Sequence, residues 1–306
     1  HGSTVATNAV LERRGAAAAL LTTAGFRDVL ELGRQTRQGL YSLHPTRAEP
    51  LIHRTRCFEV AGRIDRYGRE LLPLDEEGLA RALAAIREAG IESVAICFLF
   101  SFANPQHEHR AGERARDLGL SVSLSCEILP EYREYERAGT TAANAYVAPL
   151  MDRYLGRLQQ LLDGRAATAG TPRGSLQVMQ SNGGVISVAT ARKEAVRTVL
   201  SGPAGGVVGA GQVAAAAGIT RIITFDMGGT STDVSLAEGE PQAAHAGSIA
   251  GLPLRIPMLE IHTVGAGGGS LARAAADGTL RVGPESAGAD PGPAAYGRGT
   301  RATVGL

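Results

Sequence analysis

Residues 75–100 read DEEGLARALAAIREAGIESVAICFLF. Asp75 can cap a helix with its side chain. Leu79, Leu83 and Ile86 recur on one helical face, and Gly90 can take the left-handed conformation that ends the helix. Ile91 to Phe100 then reads as a strand buried on both faces. Asn104-Pro105 opens a second helix with proline at its first position, and Leu118 to Leu124 returns as a strand. Helix and strand therefore alternate from Asp75 to Cys126, the pattern of an α/β domain with a largely parallel sheet.

Upstream, Val5 to Arg14 reads as a helix stopped by Gly15, Ala16 to Thr22 as a buried strand, Phe26 to Gly33 as a short helix and Leu51 to Ile64 as a strand. Downstream, Glu131 to Leu162 is helix-rich, with interruptions expected around Gly139-Thr140-Thr141 and at Pro149. Residues 163–174, rich in Gly, Ala and Thr, are the best linker candidate. Beyond them glycine crowds into Asn182-Gly183-Gly184, 202–211, Gly228-Gly229 and 265–269, a density that suits backbone wrapped closely around a ligand.

The 306 residues suggest about two domains. Apolar residues make up 44% and charged residues 20%, as in an ordinary globular protein. A net charge of +1 gives no electrostatic case for nucleic acid or an anionic membrane. No apolar run approaches the ~20 residues of a spanning helix, and 1–7 hold no signal-peptide pattern. Cys57, Cys97 and Cys126 form no CxxC pair, which argues against metal or disulfide work and fits a reducing cytoplasm. Lys193 is the only lysine, and no Gly-Lys-Ser/Thr phosphate loop exists.

The sharpest chemical feature is Ile222-Ile223-Thr224-Phe225-Asp226-Met227-Gly228-Gly229-Thr230-Ser231-Thr232-Asp233-Val234-Ser235-Leu236: an apolar strand, a Gly-Gly turn with three hydroxyl residues, and a second strand. Paired glycines let backbone N–H groups approach a phosphate without an intervening Cβ. Thr230, Ser231 and Thr232 add hydroxyl donors. Asp226 can hold a hydrated Mg²⁺ that bridges phosphates, and Asp233 can orient water or bond its own backbone. A plain β-turn between core strands is the competing reading, and the complete Asp-x-Gly-Gly-Thr-x-x-Asp pattern favours phosphate.

The loop 262–271 holds Gly265, Gly267, Gly268, Gly269 and Ser270 and reads as glycines opening a helix over 271–276, a place for an anion or nucleotide. It lacks the dinucleotide fingerprint. The cluster 201–210 leads into an Ala-rich helix ending at Gly218, where close helix packing and ligand contact are equally good readings. Asn182-Gly183 fits a hairpin tip as well as a site. His107-Glu108-His109, in a charged helix, puts its two histidines on different faces, which argues against a metal site, and the charges at 131–137 read as a solvated helix face.

Together these residues resemble the hydantoinase A/5-oxoprolinase family of the actin-like ATPase superfamily. The resemblance rests on 1–9, 23–28, 179–184, 201–210, 225–236, 263–270 and 282–293. It implies two actin-like (ribonuclease H-like) α/β domains, with 1–140 the remainder of the N-terminal domain and 141–306 the start of the ATP-binding domain. It further implies ATP-dependent hydrolysis of a cyclic amide through phosphorylation of the amide oxygen, with Mg²⁺ and a hydantoinase B-type partner subunit. By position, Asp226, Gly228, Gly229, Thr230, Ser231 and Thr232 would contact phosphates and Mg²⁺, and 265–270 the nucleotide. Asp226, Asp233, His1 and Thr4 would take catalytic positions, His1 and Thr4 lying in a segment that lines the family's active site.

Two departures stand out. The family's first phosphate loop would precede His1, so the chain reads as a fragment truncated at both ends. Ala295 also stands where the family commonly has Cys. A ketone carboxylase subunit and a catalytically inactive remnant are the alternatives.

Overall fold

The computed structural model describes residues 1–36, 41, 48–169, 175–229, 231–288 and 290–305, without the side chains of 166–169 and Pro284. In chain order the elements are α1 (Val5–Leu11), β1 (Ala18–Thr23), α2 (Val29–Leu32), β2 (Cys57–Val60), β3 (Arg63–Ile64), β4 (Glu70–Leu72), α3 (Glu76–Glu88), β5 (Ser93–Cys97), α4 (Gln106–Asp117) and β6 (Ser121–Leu124). They continue as α5 (Ser125–Ile128), α6 (Glu134–Ala169), β7 (Gln177–Met179), β8 (Val185–Ser187), α7 (Val188–Lys193), α8 (Ser201–Ala216), β9 (Arg221–Met227), β10 (Thr232–Glu238), β11 (Glu240–Pro241) and β12 (Ala243–Ala244). The remainder are β13 (Gly247–Ile249), β14 (Leu252–Leu254), β15 (Met258–Leu259), β16 (His262–Val264), β17 (Ser270–Ala274) and β18 (Leu280–Ser286). Among the described residues no helix is long and apolar enough to cross a membrane. The chain forms two compact units, 1–201 with 245–258 and 202–244 with 259–306.

The first unit is built on a parallel sheet in the order β2-β1-β5-β6. Every residue of β1 and β5 is buried, as parallel strands covered on both faces must be. Leu79, Leu83 and Ile86 of α3 and Ala111 and Ala115 of α4 cover one face, over Leu21, Val94 and Ile96. Ala138, Ala142 and Ala145 of α6 cover the other, over Ala18, Leu20 and Ala95. Asp75 caps α3 as expected, accepting from the Gly78 N–H at 2.9 Å.

Three expectations are corrected in this unit. Leu51 to Ile64 is not one strand but a short 3₁₀ turn (Arg54–Arg56), β2 and β3. α6 runs unbroken through Gly139 and Pro149 to Ala169, so 163–169 of the expected linker are helical and 170–174 lie outside the described residues. Tertiary packing overrides the proline: Val147, Ala148 and Met151, on either side of Pro149, are buried in the core, and the nearby Tyr146 carbonyl accepts from the Ala16 N–H at 2.9 Å. Residue 140 lies inside this helix.

The third correction concerns charge. Arg137, read as part of a solvated face, is 1% exposed, and Glu108 is fully buried. Arg137 lies one helical turn from the buried Thr141 and two from the buried Asn144, and shares their face. Its Nη2 donates to the Phe98 carbonyl at 2.7 Å and its Nη1 to the Ser125 and Ser101 hydroxyls. The Glu108 carboxylate accepts from the Phe98 N–H (2.9 Å), the Ser125 hydroxyl (2.6 Å) and the Cys126 N–H (2.8 Å). His107 is buried as well, with Nε2 2.7 Å from Glu70 Oε1.

In the second unit β9 and β10 form an antiparallel hairpin, and β10 also pairs with β16 and β11. α8 ends near Gly218 as expected, with φ of 73° at that glycine. The helix expected over 271–276 is instead the strand β17, paired antiparallel with β18. The turn chemistry explains it: Asp277-Gly278 closes a hairpin, with the Gly278 N–H donating to the Ala275 carbonyl and the Ala275 N–H to the Thr279 carbonyl.

Replacing Glu108 by Ala leaves the Arg137 guanidinium buried without its counter-charge. The substitution is expected to lower the free energy of unfolding by about 3 kcal/mol or more, read by urea denaturation; a loss under about 1 kcal/mol would contradict the buried cluster. The thiols supply a second prediction. Burial pushes Cys57 and Cys97 up from 9.0 to about 11. A raised value favours the neutral thiol, so this stabilisation is complete below about pH 9 and is lost as pH rises towards 11. Both thiols should resist iodoacetamide at pH 8 until the chain is unfolded.

Candidate functional site

The Asp226–Asp233 hairpin occupies the second unit. Asp226 and Asp233 are direct cross-strand partners, and Asp233 is also opposite Thr263 of β16. Residues so placed share a face with Cβ atoms roughly 5 Å apart. The two carboxylates therefore stand side by side. Asp233 is fixed further by the Thr263 hydroxyl, which donates to its Oδ1 at 2.6 Å. Asp226 is exposed, and α8 runs beside it, where a Cβ on Gly206 would stand 4.0 Å from Asp226 Oδ2.

The turn itself is open. A Cβ added at Gly229 would meet nothing within 4 Å. The Gly228 N–H closes the turn on the Ser231 carbonyl at 3.0 Å, while the N–H groups of Gly229 and Ser231 have no acceptor among the described residues. Thr230 lies outside the described residues. Thr232 is buried, and its hydroxyl donates to the Ala266 carbonyl at 2.6 Å.

The second glycine loop meets this turn directly. The Gly268 N–H donates to the Gly228 carbonyl at 2.8 Å and the Gly269 N–H to the Gly229 carbonyl at 2.7 Å. The Gly267 N–H donates to the Ser270 hydroxyl at 2.9 Å and the Ser270 N–H back to the Gly267 carbonyl at 2.9 Å. The amides from Gly267 to Ser270 are thus engaged inside the protein, where the loop forms a seat for the hairpin turn. The approach requires glycine: a Cβ at Gly267 would lie 2.6 Å from the Gly228 oxygen, and one at Gly269 2.8 Å from the Gly229 oxygen. Gly265 is exposed and precedes this seat. Val304 and Gly305 brace it from the other side, their N–H groups donating to the Ser270 and Gly268 carbonyls.

His1 and Thr4 belong to the first unit. Backbone bonds to Gln177 and Met179 fix His1, and its Nε2 lies 2.9 Å from the Tyr154 hydroxyl. Thr4 precedes α1 without a side-chain cap. Next to them Ser3 and Ser201 exchange hydrogen bonds, and Thr7 accepts from the Leu200 N–H at 2.8 Å. The stretches at 1–4 and 200–201, remote in sequence, are therefore stitched together. Sequence reading missed Tyr154, Ser3 and Thr263, whose partners lie far along the chain; only the resemblance through 1–9 and 201–210 pointed to that neighbourhood.

The family model described as hydantoinase/oxoprolinase matches residues 137–305, and the model of its N-terminal region matches residues 1–119. The chain belongs to the hydantoinase/oxoprolinase family. It is 38% identical to the caprolactamase subunit alpha of Pseudomonas jessenii over 98% of this chain and 43% of that protein. It is 36% identical to a 5-oxoprolinase of Saccharomyces cerevisiae over 99% of this chain and 25% of that protein. The solved ATP-dependent caprolactamase from Pseudomonas jessenii superposes with a TM-score of 0.80 at 37% identity, and nucleotide-free acetone carboxylase with 0.82 at 29%. Each structure covers 99% of this chain, and the chain covers 44% of each. The chain spans less than half the length of these relatives. The actin-like α/β fold expected from the resemblance is the fold of this family.

The seat gives a differential test. Gly267→Ala forces a Cβ against the Gly228 carbonyl and should cost about 1–3 kcal/mol. Gly268→Ala, whose Cβ would stand 3.7 Å from the same oxygen, should cost less. Equal effects in thermal unfolding would refute the seat.

Proposed function

We propose that this chain is the nucleotide-handling portion of an ATP-dependent hydrolase that opens a small cyclic amide of the hydantoin, 5-oxoproline or lactam type. The observation that carries the proposal is the open Gly228-Gly229 turn beside paired carboxylates, in a chain whose relatives include a 5-oxoprolinase and an ATP-dependent caprolactamase. In this reading 1–140 are the remainder of the N-terminal domain and 141–306 the start of the ATP-binding domain. The assignment fits a cytoplasmic enzyme working with a hydantoinase B-type partner; the relative from Pseudomonas jessenii is itself named a subunit alpha.

The residues fit ATP and Mg²⁺ on their own geometry. Like charges directly opposed on a hairpin are unfavourable, and a divalent cation at Asp226 relieves that repulsion. Mg²⁺ needs few protein carboxylates because it keeps waters and binds phosphate oxygens. The free N–H groups of Gly229 and Ser231, with the hydroxyls of Thr230 and Ser231, cradle phosphate. Gly228 and Thr232 fix the turn, and Gly265, Gly267, Gly268, Gly269 and Ser270 hold it at the edge of the nucleotide site. Asp233, oriented by Thr263, positions the attacking water. His1, held by Tyr154, and Thr4 are further catalytic candidates, on the first unit.

Bound ATP supplies the γ-phosphoryl group to the amide oxygen, which weakens amide resonance and creates a leaving group. The protein's own task is to hold the amide oxygen in line with the phosphate cradle and to exclude competing water. One water then adds to the ring carbon, cleavage of the C–N bond expels the protonated ring nitrogen and leaves an acyl phosphate, and a second water hydrolyses that acyl phosphate to inorganic phosphate and the open-chain amino acid. Ketone carboxylation is the second reading, favoured by the structural likeness to acetone carboxylase.

The test uses the natural polypeptide with its partner subunit. ADP release should depend on both Mg²⁺ and a lactam, with one ring opened per ADP. Asp226→Asn should lower kcat by about 100-fold or more without unfolding the protein. Full activity in that variant would sink the assignment of Asp226. ADP release that requires bicarbonate and a ketone would select the carboxylase reading.

A further inference from the structure

The first unit holds a cavity of about 290 Å³ between the turn after α2, the amino-terminal end of α6 and the β13–β14 hairpin. Its size is at the lower end of small-molecule sites, roughly 300–1,000 Å³. Leu30, Leu32 and Pro253 supply apolar wall, and Glu31, Arg34, Tyr135 and Ser248 supply polar groups. A recess of about 30 Å³ adjoins it, sharing Leu30, Tyr135 and Pro253 and bounded further by Gly139, Ala142 and Leu252. Among the described residues only Tyr135 brings a polar side chain to that recess, and an apolar recess stays dry and accepts apolar atoms.

The polar groups define what fits. Gly33, at φ of 53°, lets the Tyr135 ring stand against the turn, since a Cβ there would lie 3.3 Å from Tyr135 Cζ. Burial, with the neighbouring Glu136 charge, holds the Tyr135 phenol above its ordinary value of 10.0, so it is a neutral hydroxyl at pH 7. Neither it nor the Ser248 hydroxyl has a hydrogen-bond partner among the described residues. The Arg34 Nε donates to Glu136 Oε1 at 2.7 Å and its Nη2 lies 2.5 Å from the same oxygen, so the guanidinium charge is already balanced. Glu31 forms no ion pair among the described residues. A carboxylate or phosphate entering here would face Glu31 with Arg34 engaged, and an ammonium would face the guanidinium. A neutral amide avoids both conflicts: its carbonyl accepts from Tyr135 or Arg34, and its N–H donates to Glu31 or Ser248.

We propose that this cavity binds a small neutral amide with a compact apolar body, a lactam being the simplest case, at a site separate from both the phosphate turn and His1. The turn belongs to the second unit and the cavity to the first. His1 meets Tyr154, which lies nineteen residues beyond Tyr135 on α6, roughly 28 Å along the helix axis. The ring methylenes enter the recess beside Ala142 and Leu252, and the amide edge meets Tyr135, Glu31 and Ser248. Occupancy joins three stretches remote in sequence: the turn after α2, the first turns of α6 and the β13–β14 hairpin. The site rests on the cavity alone and stands whether or not the chain opens lactams.

Hydrogen–deuterium exchange of the natural polypeptide with its partner subunit, without nucleotide, tests this with ε-caprolactam as the probe. At ten times Kd the amides of 32–35 and 248–252 should exchange about 10-fold more slowly. A Cβ at Gly139 meets only the Pro253 carbonyl, at 3.8 Å, so Gly139→Leu fills the recess. It should weaken binding by about 10-fold or more without lowering Tm, because leucine favours a helix over glycine. Tyr135→Phe should weaken binding by about 2- to 12-fold. The ring-opened zwitterion 6-aminohexanoate, at the same concentration, should protect neither stretch. Protection absent from 32–35 and 248–252, or confined to other segments, would overturn the proposal, and so would protection unchanged in Gly139→Leu. Equal protection by 6-aminohexanoate would overturn the neutral-amide assignment. Should Gly139→Leu fail to fold, Tyr135→Phe and the comparison of the two probes decide.

Discussion

Two backbone hydrogen bonds organise the candidate site, from the Gly268 and Gly269 amides to the Gly228 and Gly229 carbonyls. They join loops some forty residues apart by main chain alone, which is possible only where no Cβ intervenes. A hydrogen bond of this kind contributes about 1 kcal/mol net, so its effect is chiefly geometric. The carbonyl side of the turn is used for internal contact, while the Gly229 amide, in an exposed residue, has no acceptor among the described residues. Such an amide suits an anion. Asp226 and Asp233, fixed in register by the same ladder, add the negative charge that a cation must offset.

The first unit is held by different physics. Its parallel sheet is covered on both faces by apolar helices, and small residues of α6 allow close approach to the strands. At the carboxyl ends of β5 and β6 the buried Arg137 and Glu108 bind the following turns through Phe98, Ser125 and Cys126. Removing either partner leaves a charge uncompensated. Around 1–4 a second polar network unites segments that sequence alone leaves far apart.

The helices and strands from Asp75 to Leu124 were legible because period, cap and glycine stop agreed locally. The hairpin at 222–236 was legible for the same reason: two apolar runs flank a glycine-containing turn. Arg137 was misread because a charge run identifies a solvated face only when nothing packs against it. Pro149 did not break α6 because Val147, Ala148 and Met151 beside it are buried in the core, and tertiary packing outweighs local propensity.

The sequence by itself determined the alternation of elements, the glycine turn between the two strands at 222–236 and membership of its family, since each is encoded in contiguous residues. Tertiary structure alone decided that the glycines at 267–269 seat the turn, that Thr263 orients Asp233 and that Tyr154 meets His1. Those facts depend on pairings between remote segments, and local sequence carries no information about which remote backbone arrives opposite a given glycine or carboxylate.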